Sequence, residues 1–510
     1  MWCIMSDMEG DENLASTLRA TAALRGDEQA LWCAGRSLTW TEVDAQVDAF
    51  AGRAGELGLR AGDRLALLLG NSIEFVVAYF GALRAGLVVV PLNPAYTAAE
   101  VAVLLADSGS RAMICEAPTA PVAVEAAGAV SGCEVIETGT ATWRALLEPG
   151  PPGPDIRVGA QSLALLLFTA GTSGRPKGAM LTHGALRANI DALRQLTDPP
   201  PVLAGDVVFA VLPMFHVYGL NTVLGLAVSA GARCVIVDRF DPVGALTLIG
   251  EHGVTTVAGA PAMYRAWSKV PGAGQALSGV RLFSSGGSPL PIAVFEDFAA
   301  ATGASIFEGY GMTETAPVVT TTLVGGVPKP GSVGRPIPGM EIALVDASGQ
   351  PADEGDPGEV CVRGPSVFLG YWPDALGGPD AHGWFRSGDV AFIDADGDLH
   401  LVDRRRELVI VNGFNVYPRE IELAIEAMDG VEEVGVVGVM DDVTGESLMA
   451  FVVARPGAEV TADRVTAHCA SRLARFKIPR TIRIVDALPH SATGKVAKGR
   501  LREVHQNGQE

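Results

Sequence analysis

A run of glycines, hydroxyl side chains and one lysine follows an apolar stretch in the first half of the chain. The stretch 165–169 reads as a strand, and the run that follows it extends to Gly178 and includes Lys177. Residues with small or hydroxylated side chains fill the run: Thr169, Gly171, Thr172, Ser173, Gly174 and Gly178. Glycines let a backbone approach phosphate closely, and lysine adds positive charge. The spacing differs from the common Gly-x4-Gly-Lys-Ser/Thr loop. A plain turn is the alternative, but the order of residue types predicts a phosphate-binding loop.

A second candidate segment has the sequence Glu-Gly-Tyr-Gly-Met-Thr-Glu and runs from Glu308 to Glu314. Tyr310 lies between two glycines, so a flat base could approach its ring. Thr313 and Glu314 offer a hydroxyl and a carboxylate, and carboxylate oxygen is a ligand that Mg²⁺ accepts. Gly-Tyr-Gly alone is also an ordinary turn. Its place after the phosphate-binding loop and after the glycine-rich run Ser284–Pro289 favours a nucleotide site.

Three single residues could also do chemistry. Asp389 follows Ser-Gly, and its carboxylate could accept hydrogen bonds from both hydroxyls of a ribose. Lys495 follows a glycine near the end of the sequence, and His216 lies in an apolar run. Taken alone, they read as a turn aspartate, a surface lysine and a core histidine. The neighbouring motifs are therefore needed to assign them.

These motifs, in this order, resemble those of the adenylate-forming superfamily of acyl-CoA synthetases, luciferases and peptide-synthetase adenylation domains. The resemblance covers nearly the whole chain. It implies that Tyr310 stacks on adenine, Thr313 binds the α-phosphate and Glu314 ligates Mg²⁺. Ala170 stands where relatives often carry serine, and we expect little loss because alanine leaves the backbone donors in place. The implied contacts to ATP and coenzyme A are Thr169, Ala170, Gly171, Thr172, Ser173, Gly174, Lys177, Gly287, Glu308, Gly309, Tyr310, Asp389, Arg404, Asn412 and Gly413.

The resemblance also assigns catalytic roles and a domain rotation. It implies that Lys495 contacts the carboxylate and the α-phosphate, where negative charge accumulates as the carboxylate attacks phosphorus. It implies that His216 orients the carboxylate or gates the acyl tunnel. It places an interdomain hinge at Arg406 and the pantetheine tunnel near Asn412 and Gly413. Position 412 is often glycine or lysine in relatives, so the contact of Asn412 is left open.

The helices and strands predicted around these residues follow an α/β pattern. Thr39 and Glu42 have capping-box spacing ahead of a helical repeat that ends near Gly58. Apolar runs at 64–69, 73–83 and 87–90 predict a strand, a helix and a strand, and hence a parallel sheet covered by helices. Further strands are predicted at 207–212, 233–237, 255–258 and 281–284.

The pattern of predicted secondary structure changes in the last third of the chain. Short runs at 341–344, 358–362 and 399–402 predict antiparallel strands or a barrel. Beyond 403, helices at 418–427 and 462–473 and strands at 434–439, 450–454 and 481–484 predict a separate domain. The predicted organisation is α/β, with a large N-terminal domain of parallel α/β subdomains plus a β-rich subdomain (1–403). A hinge (404–406) leads to a small mobile α+β C-terminal domain (407–510).

Composition excludes several classes of protein. The net charge of −20 argues against a nucleic-acid binder, although a basic segment at 464–502 suits a small polyanion or a solvated face. The seven cysteines are scattered without a Cys-x-x-Cys pair, so we expect no disulfide framework or zinc site, and a cytoplasmic location. No secretory signal is visible. The uncharged stretch 207–232 is interrupted by polar residues and proline, which predicts a buried strand and helix rather than a transmembrane segment.

The predicted function is an ATP- and Mg²⁺-dependent acid:CoA ligase that adenylates a carboxylic acid, releases pyrophosphate and passes the acyl group to coenzyme A. Small residues in segments that line the acyl pocket of relatives are Gly259, Ala260, Gly286 and Gly287. They could leave room for a medium- or long-chain fatty acid, and an aryl acid could also fit. An acyl-AMP ligase that loads a carrier protein is a rival, but no Asp-Ser-Leu carrier site is present. Lys495, Glu314 and Asp389 argue against a catalytically dead adenylate-binding regulator. The oligomeric state, including a homodimer, is left open.

Overall fold

The computed structural model describes residues 12–150, 156–169, 176–290, 292–346, 348–353, 355–404, 409–412, 414–416, 418–441, 445–489, 498 and 501. The chain divides into two compact units. The first unit contains Met1–Pro94, Leu105–Phe168 and Gly178–Asp403, and the second contains Ala95–Leu104, Thr169–Lys177 and Arg404–Glu510. The hinge at 404–406 remains a prediction, and Arg406 lies outside the described residues.

Nineteen strands and twelve α-helices precede residue 405 in the described part of the chain. The strands are β1 (Gln29–Cys33), β2 (Arg36–Thr39), β3 (Arg64–Leu68), β4 (Val88–Pro91), β5 (Ser110–Cys115), β6 (Glu134–Glu137), β7 (Leu163–Thr169), β8 (Lys177–Thr182), β9 (Val207–Ala210), β10 (Arg233–Ile236), β11 (Thr256–Gly259), β12 (Leu282–Ser285), β13 (Ile306–Gly311), β14 (Val318–Thr321), β15 (Arg335–Pro336), β16 (Glu341–Val345), β17 (Gly358–Arg363), β18 (Phe385–Ile393) and β19 (Leu399–Arg404). The helices are α1 (Ala15–Arg25), α2 (Trp40–Arg53), α3 (Ile73–Arg84), α4 (Ala98–Ser108), α5 (Ala120–Gly128), α6 (Ala141–Leu147), α7 (His183–Arg194), α8 (Leu226–Ala230), α9 (Pro242–His252), α10 (Pro261–Trp267), α11 (Ala273–Ala276) and α12 (Ile292–Thr302).

A six-stranded sheet has the order β6-β5-β3-β4-β7-β8. The strand β3 pairs in parallel with β4 and β5, and β4 and β5 pair in parallel with β7 and β6. The helix α3 between β3 and β4 is capped by Ser72, and its residues are buried almost throughout. The predicted βαβ unit is therefore confirmed. The predicted capping box is also present, because Thr39 Oγ1 accepts from Glu42 N–H and the Glu42 carboxylate accepts from Thr39 N–H.

A nine-stranded sheet has the order β15-β14-β13-β12-β11-β9-β10-β1-β2. Pairing is parallel from β13 to β1 and antiparallel at β14, β15 and β2. The strand predicted at 207–212 ends at Ala210, and the Leu212 carbonyl instead accepts from Asn71 Nδ2 at 3.0 Å. Ligands of such sheets commonly bind at the carboxyl ends of the parallel strands. The segment 308–314 begins within β13 and continues past its carboxyl end.

The uncharged stretch after β9 folds as predicted, as a short strand followed by helix. A π-helix at Tyr218–Gly225 continues into α8. Both helices have mostly buried residues. Across the described part of the chain, no helix has the length and apolar character needed to cross a membrane.

The β-rich subdomain is a four-stranded sheet with the order β16-β17-β18-β19. Its pairs β16–β17 and β17–β18 are antiparallel, as the sequence predicts. The strand β18 carries Asp389, and β19 ends at Arg404. This sheet therefore holds one candidate ribose-binding residue within a strand and the other at a strand end.

The part of the second unit beyond Arg404 contains β20 (Val409–Val411), β21 (Phe414–Val416), β22 (Val431–Asp441), β23 (Gly445–Ala454) and β24 (Thr481–Ile484), with α13 (Pro418–Glu426) and α14 (Ala462–Ala470). The sheet order is β21-β20-β23-β22, and β24 pairs with β23. The predicted α+β composition is confirmed. The strand β22 is longer than predicted because its ladder with β23 continues from Val431 to Asp441.

Two lysines of the basic segment form internal ion pairs in this unit. Lys477 is buried, and its Nζ lies 2.8 Å from Glu420 Oε1. Lys498 Nζ lies 2.7 Å from Glu422 Oε1. A charge count could not show that these two cations are engaged by acids of the same unit. The six cysteines that the structure describes are all free thiols.

Candidate active site

The structure brings together the residues predicted to contact adenine and ribose. Tyr310 is the penultimate residue of β13, and Asp389 lies in β18. Although 79 residues separate them in sequence, the Tyr310 hydroxyl donates to Asp389 Oδ2 at 2.7 Å. Tyr310 is 7 % exposed. A buried tyrosine beside a carboxylate places a flat ring next to two oxygens that can accept hydrogen bonds from hydroxyl groups.

The glycines on either side of Tyr310 have a packing role that the sequence did not reveal. A Cβ atom on Gly311 would lie 2.1 Å from the carbonyl oxygen of Pro317, and one on Gly309 would lie 3.1 Å from the carbonyl oxygen of Thr320. The chain returns closely past both positions because β14 pairs with β13 in antiparallel fashion. The backbone of the returning chain therefore excludes a larger residue at Gly311, whereas at Gly309 a Cβ atom would make a tight contact that a small shift of the neighbouring strand could relieve.

Thr313 and Glu314 lie in the single 3-10 turn Thr313–Thr315 that follows β13. The Glu314 carbonyl accepts from the backbone N–H of Phe368 at 2.9 Å. The Tyr371 hydroxyl donates to Glu314 Oε1 at 2.6 Å. The sequence did not single out Tyr371, because nothing in a one-dimensional pattern connects it to Glu314.

Two buried asparagines support the loop that follows this turn. Asn189 Nδ2 donates to the carbonyls of Thr315 at 3.3 Å and Val318 at 2.8 Å, and its Oδ1 accepts from Val318 N–H at 3.3 Å. Asn221 Nδ2 donates to the Ala316 carbonyl at 2.7 Å. Both asparagines were missed as candidate residues. The sequence could have indicated them, because each is an amide side chain on an otherwise apolar face. Such an amide needs hydrogen-bond partners when it is buried.

Glu308 is buried, and its carboxylate supports the glycine-rich loop after β12. Its Oε1 accepts from the backbone N–H of Leu290 at 2.9 Å. Burial raises the pKa of the Glu308 carboxyl to about 7, and the Leu290 N–H opposes that rise by stabilising the charged form. Gly287, in the same loop, has a φ of +82°, and a Cβ atom there would meet open space. Glu308 and Gly287 thus belong to one local structure, while their contacts to a nucleotide stay a prediction.

The ends of the predicted phosphate-binding loop are described, but its tip is not. Thr169 ends β7 and Lys177 begins β8, and these are neighbouring strands. Thr169 Oγ1 donates to the Lys177 carbonyl at 3.4 Å, which brings the two ends of the loop together. The remaining predicted loop residues lie outside the described residues: Ala170, Gly171, Thr172, Ser173 and Gly174.

His216 follows β9 in a turn that leads into the π-helix. Its Nδ1 accepts from the Tyr218 N–H at 3.3 Å, and its carbonyl accepts from Leu220 N–H at 2.9 Å. Burial lowers the pKa of His216 to about 4. The imidazole is therefore neutral at pH 7, and Nδ1 acts as an acceptor. A neutral ring with its Nε2 proton could donate one hydrogen bond to a substrate carboxylate.

The small residues expected to leave room for an acyl chain differ from one another in the structure. A Cβ atom on Gly286 would lie 3.1 Å from the Tyr218 ring, and one on Gly259 would lie 2.9 Å from the Tyr264 hydroxyl. Two tyrosines therefore occupy the space beside these glycines. Of the three glycines Gly259, Gly286 and Gly287, the last alone faces open space in the described structure.

The remaining candidates belong to the second unit. Arg404 is the last residue of β19, and Asn412 lies in the turn between β20 and β21 with a φ of +50°. Lys495 and Gly413 lie outside the described residues. Their assigned contacts to the reacting phosphate and to pantetheine stay predictions.

The donor set around Glu314 fits a Mg²⁺ ion carried by ATP. Mg²⁺ is usually held through one or two protein carboxylates together with substrate phosphates, and Glu314 offers a partly buried carboxylate with one oxygen already oriented by Tyr371. Elsewhere among the described residues, the carboxylates of Asp394, Asp396 and Asp398 lie close enough together to hold a metal ion. Lys329 Nζ lies within 3.0 Å of all three carboxylates, so a cation already balances their charge.

Two family models match the chain. The model described as AMP-binding enzyme matches residues 18–372, and the model described as AMP-binding enzyme C-terminal domain matches residues 420–495. The chain belongs to the AMP-binding enzyme family. The predicted family, fold class and enzyme class are thus confirmed, and this AMP-binding enzyme is a member of the acyl-CoA synthetase branch of adenylate-forming enzymes.

Relatives of this AMP-binding enzyme include ligases for different acids. A long-chain-fatty-acid CoA ligase from Bacillus subtilis is 30 % identical over 531 residues, covering 97 % of this chain and 94 % of the relative. A feruloyl-CoA synthase from an Amycolatopsis species is 36 % identical over 474 residues, covering 92 % and 94 %. The solved structure of an o-succinylbenzoate CoA synthetase from Bacillus subtilis has a TM-score of 0.85 at 27 % identity, covering 96 % and 98 %.

Proposed function

We propose that this enzyme is an ATP-dependent acid:CoA ligase. It joins a carboxylic acid to the α-phosphate of ATP, releases pyrophosphate, and then transfers the acyl group to the thiol of coenzyme A with release of AMP. The observation that carries the proposal is the pairing of Tyr310 with Asp389 at 2.7 Å beside the turn that bears Thr313 and Glu314. This arrangement combines an aromatic face, paired acceptors for ribose hydroxyls and a hard oxygen ligand within one unit.

In the proposed first half-reaction, Tyr310 and Asp389 hold the nucleoside. The Thr313 hydroxyl donates a hydrogen bond to the α-phosphate. A bound Mg²⁺ supplies positive charge to the phosphates and the departing pyrophosphate. Glu314 would hold that ion, and Lys177 and the loop 169–178 would bind phosphate oxygens through backbone N–H groups and one cation. The Lys495 ammonium would stabilise charge on the α-phosphate in the transition state.

His216 would orient the substrate acid rather than act as a base. A carboxylate is already the nucleophile at neutral pH, so no proton has to be removed from it. Because the pKa of His216 is lowered to about 4, its ring carries no charge that would trap the carboxylate before attack. A single donated hydrogen bond would instead aim one oxygen at phosphorus.

In the proposed second half-reaction, the C-terminal domain rotates about Arg406 and replaces Lys495 with the segment around Asn412 and Gly413. The thiolate of coenzyme A then attacks the acyl carbonyl, and AMP leaves. The positive φ of Asn412 marks a tight turn between two short strands. Such a turn presents backbone groups at a strand end, which suits the amide-rich pantetheine arm.

We propose a medium- or long-chain fatty acid as the substrate class, supported by the relatives named as long-chain-fatty-acid ligases. An aryl acid is the second candidate. The observation that favours it is the Tyr218 ring beside Gly286, since an aromatic wall next to a backbone without side chains suits a flat ring. The relative named as a feruloyl-CoA synthase supports the same candidate. We also propose a cytoplasmic location, which the free thiols fit.

The test is a panel of short, medium, long and aromatic acids with the purified chain, ATP and Mg²⁺. Pyrophosphate release is measured first, and the acyl-CoA product is then identified by mass after coenzyme A is added. The proposal requires acid-dependent pyrophosphate release and a matching acyl-CoA. Preference for cinnamic- or benzoic-type acids over every fatty acid would replace the leading candidate by the aryl acid.

A further inference from the structure

One short segment, Phe368–Trp372, joins two parts of the candidate site within the first unit. On one side it pairs with the strand that follows the phosphate-binding loop. Leu369 N–H donates to the Met180 carbonyl at 3.0 Å, and Trp372 N–H donates to the Gly178 carbonyl at 2.8 Å. On the other side, Phe368 N–H donates to the Glu314 carbonyl at 2.9 Å. We call Phe368–Trp372 the bridging segment.

The bridging segment holds Tyr371 in a defined orientation. Its ring lies edge-on to Phe368 with centroids 5.0 Å apart, and Phe368 is buried against Phe385. The Tyr371 N–H donates to the Leu376 carbonyl at 3.0 Å. Gly370 allows this tight return, because its φ is +131° and a Cβ atom there would lie 2.2 Å from the Ala375 carbonyl oxygen. Packing and backbone bonds therefore orient the ring before any ligand binds.

The hydroxyl of this oriented ring contacts the Glu314 carboxylate at 2.6 Å. A hydrogen bond to a charged acceptor is shorter and stronger than one between neutral groups. Residues that hold a metal-binding carboxylate in this way restrict its rotamers, and their loss typically weakens metal affinity or activity by roughly 10- to 100-fold. Glu314 lies on a single 3-10 turn, which by itself gives the side chain little support.

We propose that Tyr371 is a positioning residue for the adenylation half-reaction, and that its hydroxyl holds Glu314 in the orientation that accepts the Mg²⁺ of Mg²⁺–ATP. This inference rests on the proposed function, in which Glu314 is the metal ligand. Tyr371 itself contacts neither nucleotide nor metal in this role. Its contribution is to remove the freedom of the carboxylate before the nucleotide arrives.

The variant Tyr371→Phe removes the hydroxyl and keeps the ring that packs on Phe368. Tyr79→Phe is a matched control, because the buried Tyr79 hydroxyl has no hydrogen-bond partner among the described residues. Thermal unfolding of both variants checks that the ring packing is retained. ATP binding is then measured by calorimetry, without any acid, in Mg²⁺ and in EDTA.

We expect Tyr371→Phe to bind ATP in EDTA with the same dissociation constant as the parent. Mg²⁺ lowers this dissociation constant in the parent, and we expect the factor by which it is lowered to be about 10-fold or more smaller in the variant. Tyr79→Phe should keep the parent's factor in full. Thioester formation from supplied acyl-adenylate and coenzyme A should stay at the parent rate in Tyr371→Phe, since no triphosphate takes part.

Unchanged Mg²⁺-dependent tightening in Tyr371→Phe would overturn the inference, and so would equal weakening in Mg²⁺ and in EDTA, which would indicate a purely structural role. Failure of the proposed function looks different. In that case the parent protein itself would show no Mg²⁺-dependent ATP binding and no pyrophosphate release with any acid, and the inference would fall with it.

Discussion

The buried carboxyl of Glu308 makes the stability of the first unit depend on pH in a predictable direction. Burial raises the pKa of Glu308 from 4.5 to about 7. The folded protein therefore binds a proton more tightly than the unfolded chain between these two values, and stability falls as pH rises from about 4.5 to about 7. Each pKa unit corresponds to about 1.4 kcal/mol, so the full cost above pH 7 is about 3 kcal/mol.

The variant Glu308→Gln should remove this cost. A glutamine keeps an oxygen that can accept from Leu290 N–H but carries no charge at any pH. We expect the variant and the parent to be similar in stability near pH 4.5, and the variant to gain up to about 3 kcal/mol by pH 8. Glu125→Gln, on the exposed surface of α5, serves as the matched control and should show no such gain.

Tryptophan fluorescence during denaturant unfolding is the assay. The tryptophans that the structure describes (residues 32, 40, 143, 267, 372 and 384) all belong to the first unit, so their signal follows the unit that contains Glu308. The free energy of unfolding is compared at several pH values from 4.5 to 8. A difference between Glu308→Gln and the parent that stays constant across this range would show that Glu308 does not titrate as expected, as would a difference that grows in the opposite direction.

Three further changes test other parts of the site. Lys495→Ala should lose roughly 10²- to 10³-fold in pyrophosphate release yet still form thioester from supplied acyl-adenylate, and equal loss of both half-reactions would contradict its role. Asn189→Ala leaves the N–H and carbonyl of Val318 without their buried partner, at a cost of about 1–3 kcal/mol for each unsatisfied group in fluorescence-detected unfolding. An unchanged free energy of unfolding would argue against that supporting role. Tyr218→Ala opens the space beside Gly286 and should shift kcat/KM toward bulkier acids on the order of tenfold, whereas an unaltered acid profile would remove Tyr218 from the pocket wall.

The secondary structure was predictable where one local pattern dominates. Apolar runs gave β3, α3 and β4 in their observed order, and the Thr39–Glu42 capping box marked the start of α2. These signals lie within a few residues of one another, so a sequence displays them directly. Strand ends were less predictable: β9 ends at Ala210, and the Leu212 carbonyl beyond it accepts from the side chain of Asn71, which is distant in sequence.

The candidate site was predictable only as far as motifs named its residues. Tyr310 and Asp389 were identified separately, and their hydrogen bond depends on the pairing of remote strands. Tyr371 lies 57 residues from Glu314, and Asn189 lies 129 residues from Val318. No periodicity or spacing encodes such contacts. The return of β14 past Gly311 likewise appears only once the sheet has formed.

If this chain activates a carboxylic acid as its adenylate, labelled pyrophosphate will exchange into ATP in an acid-dependent manner. The assay needs only purified protein, Mg²⁺, ATP and a set of acids, and it omits coenzyme A, so it isolates the first half-reaction. We expect exchange with at least one acid and none without acid. No exchange with any fatty or aromatic acid, by protein that is folded and binds ATP, would contradict it.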